Sequence, residues 1–206
     1  LYNVIGGGVG NYVTAFYNVI GGGFSNTLYA PYSFIGGGWK NFCQGLYGTI
    51  GGGGSNYVDG IYGAIGGGWK NIAAGGAAVA GGVSNRAYGS FSMIPGGYSN
   101  STHGAYSLAA GFRASADHDG SFVWADSTNE AFGSTAGDQF SVRAANGLRI
   151  VGSTNLGLLT ISPLHSTGDK DAQIYLAETQ LGGYGTILKH DGVANQFQIF
   201  GKSLTT

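Results

Sequence analysis

Charge is what this chain has least of. Only 9% of its 206 residues are Asp, Glu, Lys or Arg, against roughly a quarter in ordinary soluble domains. Nine basic residues against ten acidic ones leave a net charge of −1, which offers no electrostatic footprint for nucleic acid or anionic lipid. The single cysteine, Cys43, excludes an internal disulfide framework. Three prolines and glycines without a strict three-residue period exclude collagen. No apolar run approaches about 18 residues, so no segment reads as a membrane-spanning helix. Neither an initiator methionine nor a signal-peptide pattern stands at Leu1, so the chain reads as a processed product or a piece of something longer. What it has instead is glycine, 42 residues of it, in a sequence that is 43% hydrophobic and 13% aromatic. That much apolar surface argues for a folded chain rather than a disordered linker.

The glycines are organised by a repeat. Tyr17 to Asn26 reads YNVIGGGFSN, and related blocks place an anchor aliphatic at Ile5, Ile20, Ile35, Ile50, Ile65, Val79, Ile94 and Leu108, spaced 14 or 15 residues apart. Three residues before the anchor the column is aromatic in six of eight blocks: Tyr2, Tyr17, Tyr32, Tyr47, Tyr62 and Phe91, with Gly76 and Ala105 as exceptions. Six residues after it stand Asn11, Asn26, Asn41, Asn56, Asn71, Asn85 and Asn100, then Ala114. The period is too short for helical-pair repeats and suits two short strands and two turns. Alternation places Tyr17 and Val19 on one strand face and Asn18 and Ile20 on the other. The glycines take positive φ without steric cost, and the Asn column suits left-handed turns while bonding its own backbone. Coils stacked about 4.8 Å apart put the anchors in an aliphatic ladder, each contributing about 1.5–3 kcal/mol on burial. A coil this thin leaves one column facing outward. An aromatic column in water is unfavourable, so copies of the chain are expected to cover it.

These IGGGxxN blocks resemble the head repeats of trimeric autotransporter adhesins, over Leu1 to about Ala114, although GGG stands where one glycine is usual. The stretch from Ala116 to Ile150 is similar to the cap that follows such repeats in bacterial surface and phage tail-fibre-like proteins. The resemblance implies an all-β fold: a trimeric, parallel, left-handed β-roll, a solenoid of about eight 14–15-residue coils, followed by a small β-rich C-terminal cap. Composition shifts after residue 114, since 14 of the 19 charged residues follow it. The organisation read here is a β-roll at 1–114, a β-rich connector at 115–152 and a C-terminal β module at 153–206. Strands are expected at Ser121–Ala125, Gln139–Ala144, Gly147–Val151, Leu158–Ser162, Gln173–Glu178, Gly185–His190 and Gln196–Gly201, the last two forming a hairpin.

Chemistry-bearing motifs are scarce. None of His103, His118, His165 and His190 has zinc-motif spacing. Asp117-His118-Asp119 could meet its symmetry copies around a metal, but a solvated turn is the simpler reading. The GGG runs lack the Lys-Ser/Thr of a phosphate loop, Cys43 reads as a buried thiol, and no paired carboxylates of a glycosidase fall in the repeats. The chain is therefore expected to be no enzyme and to carry no cofactor or metal. Four residues after each anchor lie Val9, Phe24, Trp39, Gly54, Trp69, Val83, Tyr98 and Phe112. Trp39 and Trp69, two coils or about 10 Å apart, with Tyr98 and Phe24, are candidate stacking platforms for a glycan, though such rings also pack at protein interfaces.

The function expected is a structural and adhesive homotrimeric fibre, extracellular, on a cell surface or on a virion or tail particle. It would present repeated surface to a cell-surface glycan or protein receptor, with no nucleic-acid partner and no membrane insertion. The alternatives are a phage or injection-particle fibre carrying a polysaccharide-degrading activity and an ice-binding solenoid. The last wants a regular threonine array, yet Thr14, Thr27, Thr49 and Thr102 share no column.

Overall fold

A computed structural model describes residues 2–148 and three further strands, 173–177, 185–191 and 196–202. The chain divides into two compact units, Leu1–Leu148 and Arg149–Thr206. The first is an all-β parallel solenoid of about nine coils. Each coil contributes two short strands to two parallel sheets. The first sheet runs Val4–Ile5, Val19–Ile20, Phe34–Ile35, Thr49–Ile50, Ala64–Ile65, Ala78–Val79, Met93–Ile94, Leu108–Phe112, Phe122–Ala125 and Phe140–Arg143. The second, of nine strands, runs from Tyr12–Val13 to Phe132–Gly133. Between them, single parallel bridges join Val9, Phe24, Trp39, Gly54, Trp69, Val83 and Tyr98 in succession.

The lumen is filled as strand alternation requires. Ile20, Ile35, Ile50, Ile65, Val79 and Ile94 are buried on one wall, and Leu28, Cys43, Val58, Ala73 and Ala87 face them from the other, in one core cluster. Asn18 and Ile20 point inward and Tyr17 and Val19 outward, as the alternation predicts. Ile5 pairs in register with Ile20 and is exposed, no described coil being stacked on its other side.

Two details differ from the sequence reading. Leu108 pairs with Met93, so the residue opposite Ile94 is Ala109, which is fully buried while Leu108 is only half-buried. The eighth anchor is thus Ala109, and three residues before it stands Tyr106, which restores the aromatic column that Ala105 seemed to break. At this level the second buried cluster is built mostly from small residues, Ala109, Ala114, Ala116 and Ala125, with Val123.

The asparagines, moreover, are not the left-handed residues. Positive φ, from 52° to 58°, falls one residue earlier, on Ser25, Lys40, Ser55, Lys70, Ser84, Ser99 and Arg113. It recurs on the third glycine of each triplet, such as Gly23 at 95°. The turn at Gly23 and Ser25 aims the following Asn into the lumen. Asn41 is typical: its Nδ2 donates to the Gly37 carbonyl four residues back and to the Gly53 carbonyl of the next coil, both at 2.9 Å, and its Oδ1 accepts from the Asn56 amide at 3.0 Å. The buried amides of the Asn26–Asn100 column are tolerated because each is bonded both to its own turn and to the next coil. The ladder ends where the Ala114 amide donates to Asn100 Oδ1 at 2.9 Å.

Parallel pairing continues past residue 114. Phe122–Ala125 stacks on Leu108–Phe112, and Phe140–Arg143 stacks on Phe122–Ala125, so residues 115–143 add coils to the same two sheets. The expected strands at Ser121–Ala125 and Gln139–Ala144 match these two. Gly147 lies in a turn, and the remainder of the strand expected at Gly147–Val151, like that at Leu158–Ser162, lies outside the described residues. In the second unit Gln173–Ala177, Gly185–Asp191 and Gln196–Lys202 form a three-stranded antiparallel sheet, as the hairpin reading requires; the connecting 192–195 is outside the described residues. No helix among the described residues is long and apolar enough to cross a membrane.

Candidate functional site

Strict stacking of coils lines up outward side chains into columns. At the corner preceding the first sheet, Tyr2, Tyr17, Tyr32, Tyr47 and Tyr62 form a continuous stack with ring centroids 5.1–5.6 Å apart. Gly76 interrupts it, and Phe91 and Tyr106 resume it at 5.9 Å. Every ring in this column is exposed.

The second column, beyond the glycine triplets, holds the residues with a proposed ligand role. Trp39 and Trp69 are two coils apart, yet their rings stack at 5.3 Å with only 5° between planes, half the separation expected from coil spacing. The cause is Gly54, the residue between them. It has no side chain, and a Cβ placed there would collide with the Trp69 ring; the Trp69 indole lies down over Gly54 until it meets Trp39. One face of each indole is therefore taken by the other, and the pair acts as one double-thickness block. Lys40 Nζ lies 4.5 Å from the Trp39 ring centroid, a cation–π arrangement. Phe24 bridges to the Trp39 backbone one coil away and is exposed. Tyr98 stacks on Phe112 at 5.4 Å and 14°.

That last pair borders a cleft of about 650 Å³ lined by Tyr98, Ser99, Ser101, Phe112, Arg113, Ala114, Ser115, Asn129 and Ala131. Phe112 is the last member of the column read from the sequence, whereas Arg113 and Asn129 are not singled out there as site residues. The available signal is a recurring dipeptide: Trp39-Lys40, Trp69-Lys70 and Phe112-Arg113 place an aromatic ring and a cation at the same two positions of their coils. Asn129 has no such signal, since it reaches the cleft only because the chain between Ala125 and Phe132 loops outward.

The Asp117-His118-Asp119 motif is dispersed rather than convergent. Asp117 accepts from Ser115 Oγ at 2.7 Å and pairs with His103 Nδ1 at 2.9 Å. His118 Nδ1 bonds to Ser134 Oγ at 2.9 Å, and Asp119 accepts the Ala105 amide at 2.7 Å. Among the described residues no group of three His, Cys, Asp or Glu side chains could hold a metal ion. Cys43 is fully buried beside the Gly45 carbonyl, and burial raises its thiol pKa, which suppresses the nucleophilic thiolate. No family model matches the chain, and no curated protein matches it.

Proposed function

We propose that the chain is the shaft and adhesive surface of a homotrimeric fibre working outside the cytoplasm, as part of a surface adhesin or of a phage or injection-particle tail fibre. One observation carries this reading. The outward row of the first sheet, Val4, Val19, Phe34, Thr49, Ala64, Ala78 and Met93, contains no charge, and Val4, Val19, Phe34 and Met93 are exposed. Monomeric proteins rarely leave so long an apolar strip in water. Because the strip repeats in register from coil to coil, three copies can bury it along its length with one repeated contact.

Attachment follows from repetition. Three parallel chains present identical columns, so weak contacts to a polymeric cell-surface glycan add through effective concentration. The exposed Trp39–Trp69 block with Lys40, and Phe24 and Tyr98 along the same column, supply aromatic faces and edges for sugar rings. Sedimentation equilibrium is expected to give three times the chain mass of 21.0 kDa; a stable monomer would sink the fibre reading. The double variant Trp39→Ala/Trp69→Ala is expected to weaken binding to surface polysaccharide with its trimeric state kept. Lower thermal stability with adhesion unchanged would remove the indoles from the binding surface.

A further inference from the structure

The cleft beside Tyr98 and Phe112 differs in chemistry from the rest of the aromatic column, and we propose that it binds an acidic sugar, with Arg113 holding the carboxylate. This rests on the glycan-binding reading but is carried by separate observations. The volume, about 650 Å³, is that of a small-ligand site. Its wall is the Tyr98–Phe112 pair. In register with Phe112 the next coil has Asp126 rather than an aromatic residue, and its carboxylate is turned to Arg143 and to the Thr128 and Ala145 amides. Among the described residues, no ring therefore covers the Phe112 face turned away from Tyr98.

Arg113 is the charged group of the cleft. Its Nη1 donates to the Asn129 carbonyl at 3.4 Å and to Asn129 Oδ1 at 3.0 Å, which fixes the guanidinium while leaving Nε and Nη2 without a partner among the described residues. No carboxylate among the described residues pairs with it. Two acids flank the lining without belonging to it: Asp117 is engaged by Ser115 and His103, and Glu130, between Asn129 and Ala131, forms no ion pair with Arg113. A guanidinium fork presents parallel donors that match a carboxylate, and an ammonium does not reproduce that geometry. Around it, Ser99, Ser101 and Ser115 supply hydroxyls, with Ser101 Oγ and Ser115 Oγ 2.8 Å apart. A ring wall, a row of hydroxyls and one oriented cation together describe a polyhydroxylated ring bearing a carboxylate: a hexuronate or a sialate.

Titration calorimetry on the full chain tests this with sialyllactose and digalacturonate as separate arms, which tell a sialate from a hexuronate, and lactose as the neutral control. At least one acidic sugar is expected to bind and lactose to bind more than tenfold more weakly. Arg113→Gln is expected to lose about 10- to 100-fold in affinity, the worth of a charge-assisted hydrogen bond, and Arg113→Lys to retain part of it. Asn129→Asp, which gives Arg113 an internal carboxylate, is expected to weaken binding without removing the cation. Equal affinity for lactose, or an Arg113→Gln variant that binds as the parent does, overturns the proposal. Neutral glycans held through Trp39 and Trp69 with no acidic sugar bound would overturn the cleft alone; no saccharide bound anywhere would overturn the adhesive reading with it.

Discussion

Tyr47 holds a backbone conformation that its side chain disfavours. Its φ is 57°, and the same left-handed geometry, 56–62°, recurs at Tyr17, Tyr32, Tyr62, Phe91 and Tyr106. For an L-residue with a Cβ this costs about 1–2 kcal/mol. The rings offset the cost: Tyr47 stacks on Tyr32 and on Tyr62, each at 5.2 Å, and such a pair is worth about 0.5–1.5 kcal/mol beyond the area it buries. Where glycine fills the column, at Gly76 with φ 74°, both terms vanish together. Tyr47→Ala keeps the strained backbone and loses both stacks, so it is expected to lower stability by about 1–3 kcal/mol. Tyr47→Gly loses the same stacks but relaxes the backbone, and is expected to stand about 1 kcal/mol above Tyr47→Ala. Urea melts of the two variants decide it, and equal midpoints would show that the backbone is unstrained.

A strand of two residues has almost no stability of its own, so each element here exists through the coils on either side of it. That dependence also explains which parts of the pattern could be read in advance. The Ile column was legible because large aliphatic residues recur at one position of each coil. Ala109 was not, because in the sequence a buried alanine looks like any surface alanine and Leu108 beside it looks like an anchor. The Trp39–Trp69 contact was likewise hidden, since it depends on the vacancy left by Gly54 in the intervening coil. Gly54→Val fills that space without opposing the backbone, whose φ is not positive there. The rings are expected to separate, and the exciton couplet of the paired indoles in circular dichroism to disappear. A couplet of undiminished amplitude would mean that the stack does not depend on Gly54.

Across the described coils, each is held by the coils it pairs with, and side-chain ties add to the backbone ladders. At the C-terminal end Asp126 ties three turns together. It bonds to Thr128 and accepts from the Ala145 amide at 2.6 Å and Arg143 Nε at 3.0 Å; Arg143 Nη1 and Nη2 in turn reach the Glu130 and Thr128 carbonyls at 2.9 and 3.0 Å. The hydrogen bonds from Thr128, foremost, with those from Ala145 and Arg143, lower the carboxyl from 3.8 to about 2. A folded value below the unfolded one means that this tie is fully present above about pH 4 and is lost as pH falls through about 2. The amide resonances of Thr128 and Ala145 are expected to titrate with a midpoint near 2 and to open to exchange below it. In Asp126→Asn that titration should be absent. A midpoint close to the ordinary aspartate value would show that the end is not held this way.

By itself the sequence determined the all-β repeat, its 14–15-residue period, the aliphatic ladder and the placing of the aromatic column on the opposite strand face. Those depend on periodicity and on the alternation of side chains along a strand, both local properties of the chain. It could not determine that the stack continues past Ala114, because the later coils keep the register while abandoning the glycine triplets and asparagines that mark it. Nor could it show where left-handed backbone falls, which indoles meet, or that Phe112, Arg113 and Asn129 share a cleft. Those were decided by tertiary structure, because each depends on how much room one coil leaves for its neighbour, a quantity set by residues 14 to 17 positions away in the chain.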